Sequence, residues 1–300
     1  MNPEVSVIIV NFNTQADLVE CIGSVYRRTK NCEIEIIVVD NASDTDPSPE
    51  LTGKFPLVKV IRNEINHGFG AANNIGASLA TGRYLFFLNP DTILMNDCIG
   101  MFHYFLTHQS GTGRTVCCGG NLMRTDHSPA PSWGNLPSLL QQVSDTGFSR
   151  LYRNYYRQHL AIANTCDFDE AHVVPYVIGA DLFIDREIFI RTGRFNRLFF
   201  MYYEDADLLL QLKRAGYRAQ ILPQARIVHH ESMSTRNADG FNYTKYGMLE
   251  RSKYLYFRKN HGLLTAFLIK CLQVVTLAVH APFQRFGYNT MKVIRITFAS

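Results

Sequence analysis

Acid is missing from one end of this sequence. Residues 251–300 contain eight lysines and arginines (Arg251, Lys253, Arg258, Lys259, Lys270, Arg285, Lys292, Arg295) and no aspartate or glutamate. The first 250 residues hold 22 basic and 26 acidic groups, so the net charge of +4 conceals a slightly acidic body with a basic end. Attraction to an anionic membrane or nucleic acid is thereby confined to that end. Spaced cysteine pairs are missing too. None of the seven cysteines stands in Cys-x-x-Cys spacing, and the chain is too long to depend on a disulfide frame. Reduced thiols in a cytosolic compartment are the expectation. No basic stretch followed by an apolar run opens the sequence, so no secretory leader is expected. A Walker pattern is absent as well. Gly68, Gly70 and Gly76 are spaced G-x-G-x-x-x-x-x-G after a third strand, which argues against a dinucleotide-binding domain.

What is present alternates. EVSVIIVNF (4–12), EIEIIVVD (33–40), LVKVIRN (57–63) and RYLFFLN (83–89) are β-branched or aromatic runs. Between them, 14–29 has Leu18, Cys21, Ile22 and Val25 at helical spacing with Thr14 as a candidate N-cap. Residues 68–81 form a helix of small residues, read as letting a nucleotide or sugar approach closely. Apolar strands separated by helices predict an α/β fold with a mostly parallel central sheet. The rhythm breaks over 121–172, which holds Pro129, Pro131, Pro137 and the single Trp133. Strand then helix resume over 173–189, and an acidic-headed helix follows at 199–217. Two short strands are expected around Pro223, then a long helix over 242–262. In 263–283, Lys270, Gln273, Thr276, His280 and Gln284 line one stripe, opposite Leu264, Phe267, Leu268, Cys271, Leu272, Val275, Ala278 and Val279. That pattern suits a helix lying in a membrane interface better than one crossing it; the other reading is a helix packed on the body.

Ligands of an open parallel sheet bind beyond the carboxyl ends of its strands. Here the strands end on Asn11 and Asn13, on Asp40, Asn41 and Ser43, on Arg62 and Asn63, and on Asn89 and Asp91. Any one of these is more simply a cap or a turn residue, but together they mark a site. A carboxylate at Asp40 can accept hydrogen bonds from a ribose or a base. Asp91, held behind Pro90, suits a hard cation such as Mg²⁺ or Mn²⁺. Glu204, Asp205 and Asp207 follow two tyrosines. Their partial desolvation would raise a carboxylate toward a useful general base. His229 or His230 could complete a metal site.

SVIIVNFNT, IIVVDNASDTD, NHGFGAANNIG, FFLNPDT, GADLFIDREIF, FFMYYEDADLLLQLKRAGY and IVHHES, in this order, resemble the family 2 inverting glycosyltransferases, and most of all their rhamnosyltransferase-like subgroup. The resemblance runs from about Val5 to His230 and thinly to Gly262. It implies a GT-A domain over 1–240, with 121–172 as an insertion on the acceptor side. A basic helical region follows over 241–300 that associates with the inner membrane surface, on its cytoplasmic face. It also implies that Asp205 is the catalytic base with Glu204 beside it. Val10, Asn11, Asn13, Asp40, Asn41, Asn66, Gly68, Asn73, Asn89 and Asp91 would form the nucleotide and donor side, and Gly179, Ala180 and Asp181 the acceptor side. Asn89-Pro90-Asp91 lies where the family carries a D-x-D motif, with Asn89 replacing its first acid; Asp91 and His229 would hold Mg²⁺ or Mn²⁺. The partners implied are a dTDP- or UDP-sugar donor, dTDP-rhamnose foremost, and a glycan or lipid-linked acceptor of cell-surface polysaccharide synthesis, with no nucleic acid. The alternative is a non-catalytic nucleotide-sugar-binding member of an assembly complex.

Overall fold

A computed structural model describes residues 3–108, 114–230, 242–280 and 290–299; of residues 278–280, 290, 291 and 298 only the backbone is described. Twelve strands occur among these residues. They are β1 (Val5–Asn11), β2 (Ile34–Asp40), β3 (Lys59–Arg62), β4 (Tyr84–Leu88), β5 (Thr92–Leu94), β6 (Thr115–Met123), β7 (Pro131–Gly134), β8 (Asn164–Thr165), β9 (His172–Val174), β10 (Tyr176–Val177), β11 (Asp181–Asp185) and β12 (Arg218–His229). The helices are α1 (Gln15–Arg28), α2 (Ser48–Lys54), α3 (Phe69–Leu79), α4 (Cys98–Thr107), α5 (Leu139–Asp145), α6 (Arg153–His159), α7 (Arg186–Arg191), α8 (Glu204–Arg214), α9 (Tyr243–His261), α10 (Leu263–His280) and α11 (Thr290–Ala299).

The main sheet runs β3-β2-β1-β4-β11-β6-β12-β5, with β9 on β12. β1 to β4 pair in parallel, as their unbroken apolar runs predict, because both faces of such a sheet are covered. Beyond β4 the sheet is mixed. β11 is antiparallel to both β4 and β6, while β12 is parallel to β6 and antiparallel to β5 and β9. The mostly parallel sheet expected from the sequence is therefore parallel in one half. The chain reverses through the insertion and re-enters at β11 from the opposite direction. Around Pro223 the two expected strands are one, β12, with a register shift between Leu222 and Arg226. A bulge is where a strand tolerates a residue that has no N–H.

One face of the sheet is covered by α1 and α4, the other by α3 and α8. The apolar side of α1 is the predicted one, with Leu18, Cys21, Ile22 and Val25 buried. Thr14 does not cap this helix; its hydroxyl donates to Asn11 Oδ1 at 2.9 Å. The insertion is ordered by its own small sheet, β10-β7-β8, and by α5 and α6. Trp133 Nε1 donates to the Thr165 carbonyl at 3.0 Å, and Ile178 N to that of Ser132 at 3.3 Å, which ties the insertion to the segment entering β11.

A third apolar cluster joins α8 to α9 and α10 through Phe199, Ala206, Tyr256, Phe257, Ala266 and Ile269. The C-terminal helices therefore sit on the body. Among the described residues no helix is long and apolar enough to cross a membrane. The polar stripe of α10 turns inward. Gln273 donates to Glu250 at 2.7 Å and to the Tyr246 hydroxyl at 3.0 Å, Lys253 pairs with Glu250 at 2.7 Å, and Lys270 lies over the Tyr254 ring. Glu250 is buried on α9 and needs these partners. The apolar face is left outside, with Leu264 72% and Phe267 59% exposed. Gln284 lies outside the described residues, as does the side chain of His280.

Candidate active site

Strand order places β1 and β4 side by side at the point where the topology turns in opposite directions, which is where an open sheet forms its crevice. The residues just past these strands and past β2 are polar, and the structure ties them together. Asp40 is buried. It accepts from Asn11 Nδ2 at 2.8 Å and from Ser43 Oγ at 2.5 Å, with Arg62 Nε at 3.5 Å. Ser43 Oγ in turn receives Asn13 N at 2.9 Å, and Asn13 and Asp44 exchange two further bonds. Asn41 donates to Asn66 Oδ1 at 2.7 Å and accepts from Asn63 Nδ2 and His67 N. This network fixes the loop 40–44 against 63–68, beside the buried end of β1 at Val10. Ser43, Asn63 and His67 complete it; the first two were signalled in the sequence by their place at strand ends, and His67 only by its place in the glycine-containing run before α3.

The glycines of the small-residue helix admit protein. A Cβ at Gly68, whose φ is 83°, would run into the Phe200 carbonyl, which accepts from Phe69 N at 2.8 Å. At Gly70 it would press on Phe195 and Glu204, and at Gly76 on Ile8. Asn73 donates to the Phe69 carbonyl at 3.1 Å within α3. The close approach read from these residues is thus made by the 195–204 segment and by β1.

The end of β4 meets the end of β12. Asp91 Oδ1 lies 3.3 Å from His229 Nε2, although 138 positions separate the two in sequence. Asn89 Nδ2 stands 3.4 Å from the same nitrogen, while Asn89 Oδ1 is buried with no partner among the described residues. A carboxylate, an imidazole and an unsatisfied amide oxygen make a donor set that fits a hard divalent cation. The described residues also draw Glu4, Cys32 and His103 together, where β1 and β2 begin.

Asn89 N donates to the Ala180 carbonyl at 2.9 Å, so this corner is bonded to the segment 179–181. Gly179 N donates to Asp205 Oδ2 at 3.0 Å, and a Cβ at Gly179 would come within 3.3 Å of Asp205 Cβ. Asp205 opens α8. Before it, Tyr202 and Tyr203 both take left-handed backbone, with φ of 71° and 66°. Two consecutive non-glycine residues in that region store strain, and they set the angle at which Asp205 leaves the turn. The tyrosines' presence was legible in the sequence; their backbone was not. Lost hydration raises the pKa of Asp205 above the usual aspartate range, against the hydrogen bonds of Ala206 N and Gly179 N. Burial, then the charge of Asp205, pushes Glu204 up too. Glu204 is the deeper of the two, with Oε2 unpartnered among the described residues. The pair therefore has one carboxylate that loses its proton first, Asp205, which stays partly open.

Asp181 is placed differently from its neighbours. It is 0% exposed, accepts from Gly120 N at 2.5 Å, and burial holds it well above the usual carboxylate range. As the first residue of β11, between β4 and β6, it lies within the sheet. Its side chain supports the 179–181 edge from behind, whereas the acceptor side was expected to include it.

A family model described as Glycosyl transferase family 2 matches residues 6–175. The chain belongs to that family. Its similarity to the N-acetylglucosaminyl-diphospho-decaprenol L-rhamnosyltransferase of Mycobacterium tuberculosis is 24% identity over 279 residues, covering 87% of this chain and 86% of that protein. Rhamnosyltransferase WbbL of Escherichia coli K12 is 24% identical over 178 residues, 57% of this chain and 64% of its own. Among solved structures, GalNAc-T7 with UDP, GalNAc and Mn²⁺ aligns with a TM-score of 0.58 at 18% identity over 88% of this chain, which spans about half (51%) of that protein. The mannosyltransferase PcManGT of Pyrobaculum calidifontis, with GDP-Man and Mn²⁺, gives 0.57 at 15% identity, over 100% of this chain and 80% of its own. The protein is thus a family 2 glycosyltransferase of rhamnosyltransferase-like type with a GT-A-like fold.

Proposed function

We propose that this glycosyltransferase is an inverting enzyme moving a sugar from a nucleotide-sugar to a glycan or lipid-linked acceptor in polysaccharide synthesis, with dTDP-rhamnose as the leading donor. The observation that carries the reading is the continuous line of contact from Asp205 through Gly179, Ala180 and Asn89 to Asp91 and His229. A general base and a seat for a leaving diphosphate must lie on opposite sides of one anomeric carbon for in-line displacement, and a base and a cation seat joined through this line support that arrangement.

Asp205 takes the proton of the acceptor hydroxyl. The oxygen forms its bond to the anomeric carbon as the bond to the diphosphate oxygen breaks on the opposite face, so configuration inverts without a covalent enzyme intermediate. Glu204, kept protonated by burial, adds no second charge beside Asp205. The 40–44 and 63–68 loops, ordered by Asp40 and Asn41, would hold the nucleoside end. Asp91, His229 and Asn89 would hold Mg²⁺ or Mn²⁺, which when bound offsets charge on the leaving diphosphate. The insertion borders the acceptor side and packs α5 against α10. The outward apolar face of α10, in a segment free of acids, supports peripheral attachment to the cytoplasmic membrane face, where a lipid-linked acceptor is found.

Calorimetry with dTDP, UDP and GDP, with and without Mn²⁺, tests this. One nucleotide should bind tightly only with Mn²⁺, and Asp91→Ala should abolish that binding. Binding of none of them under either condition would overturn the enzyme reading.

A further inference from the structure

A second cavity lies on the other side of α8 from Asp205. It has a volume of about 580 Å³ and is lined by Arg194, Arg197, Asp207, Gln211 and Lys259, with Asn74 and the turn 192–196 closing it. Positions two apart on a helix point roughly 200° from each other. Asp205 accordingly bonds Gly179, while Asp207 bonds Lys259 Nζ at 2.5 Å and Asn260 Nδ2 at 2.8 Å. The cavity is therefore separate from the donor and acceptor line. With Asp207 paired to Lys259, the cavity's other charged lining residues are Arg194 and Arg197, so its lining is net basic.

Two features point to an anion at an interface. Arg194 occupies left-handed backbone, with φ of 64°, directly after Gly193 at 100°. Glycine would hold that position at lower cost, yet it is an arginine that lines the cavity. Exposed apolar residues follow two of the lining residues in sequence. Leu198, next to Arg197, is 68% exposed, and the exposed Leu263 and Leu264 begin α10 only a few residues after Lys259. A cavity of basic lining, with the outward apolar face of α10 beginning four residues after its Lys259, offers charge and hydrocarbon together, as the headgroup zone of an anionic bilayer requires. Paired arginines also suit the planar fork geometry of a phosphate.

We propose that this cavity seats the phosphate of an anionic phospholipid headgroup while the α10 face lies in the bilayer surface. The proposal rests on the peripheral-membrane reading above and adds to it a specific lipid site.

Flotation of the full chain with vesicles tests it. Wild type should bind phosphatidylglycerol-containing vesicles more tightly than pure phosphatidylcholine vesicles. Arg194→Gly with Arg197→Gln should weaken the former by about tenfold or more and leave the latter unchanged. Arg194→Gly suits its backbone, and Arg197→Gln alone, at an exposed position, gives a second variant with an intact fold. Arg27→Gln with Arg28→Gln, the same charge change on α1 across the sheet, should have less than about a third of the logarithmic effect. Equal losses in the two double variants would overturn the site in favour of diffuse charge. Unchanged phosphatidylglycerol binding in the cavity variant, while Leu264→Ser with Phe267→Ser abolishes it, would overturn the cavity and leave the membrane reading standing. Wild type binding neither vesicle would overturn both. Soluble glycerol phosphate bound by wild type and lost in the cavity variant, with vesicle binding unchanged, would overturn the lipid source.

Discussion

Asp205 and Glu204 differ by one position in sequence and in how deeply they are buried. Asp205 touches Gly179 N and Ala206 N and keeps part of its surface open; Glu204 is buried, with Oε2 unpartnered among the described residues. Asp205→Asn keeps a carbonyl oxygen for Gly179 N but removes the proposed base. Turnover should fall by roughly 10²–10⁴-fold, with nucleotide binding by calorimetry unchanged. Glu204→Gln should leave the acid limb of the pH–rate profile in place, since Asp205 titrates beside a neutral neighbour in either protein. Its effect belongs to stability. The folded-state pKa of Glu204 is raised to about 8, above its unfolded value, so the unfolded chain gives up that proton first. Stability from this group is complete below the ordinary glutamate range and falls as pH rises toward the folded value. Melting wild type and Glu204→Gln between about pH 5 and pH 8 should show the variant gaining relative to wild type as pH rises, by more than about 1 kcal/mol. The acid pair was legible as residue types after two tyrosines. Which member is buried was not, because helix phase alone does not say what packs against each side.

At the scale of elements, α3 and the turn into α8 form one joint. Gly68 and Phe69 meet the Phe200 carbonyl, and Asn74 exchanges bonds with Phe195 at 2.7 and 3.1 Å. Gly68→Ala puts a methyl group into the Phe200 carbonyl at a φ of 83°. The expected outcome is a loss of about 1–3 kcal/mol by denaturant unfolding, together with weaker catalysis, because the strained Tyr202–Tyr203 turn hangs from this joint. The elements themselves were readable from local pattern. β1, β2 and β4 stand where their apolar runs end, and α1 buries the predicted face. The direction of β11 was not readable, since pairing direction is decided by where the chain re-enters after the insertion. The close-packing role of Gly68, Gly70 and Gly76 was likewise hidden; small residues announce an approach but not what approaches.

For the whole molecule, the body and its C-terminal helices share one apolar cluster, yet α10 turns its greasiest residues to the outside. Leu264→Ser with Phe267→Ser replaces exposed side chains and should leave the melting temperature nearly unchanged while removing vesicle binding. Raised salt should weaken the residual attraction of the basic segment without restoring it.

The sequence by itself determined the strands of the parallel half, the polar edge they share and the family, because each is written in short runs of neighbouring residues. The resemblance already paired Asp91 with His229; tertiary structure alone decided that Asp205 meets Gly179, that Asp181 sinks into the sheet and that the polar stripe of α10 faces inward. Those outcomes depend on partners far away along the chain. A side chain's surroundings are fixed by the element that packs on it, and no local pattern names that element.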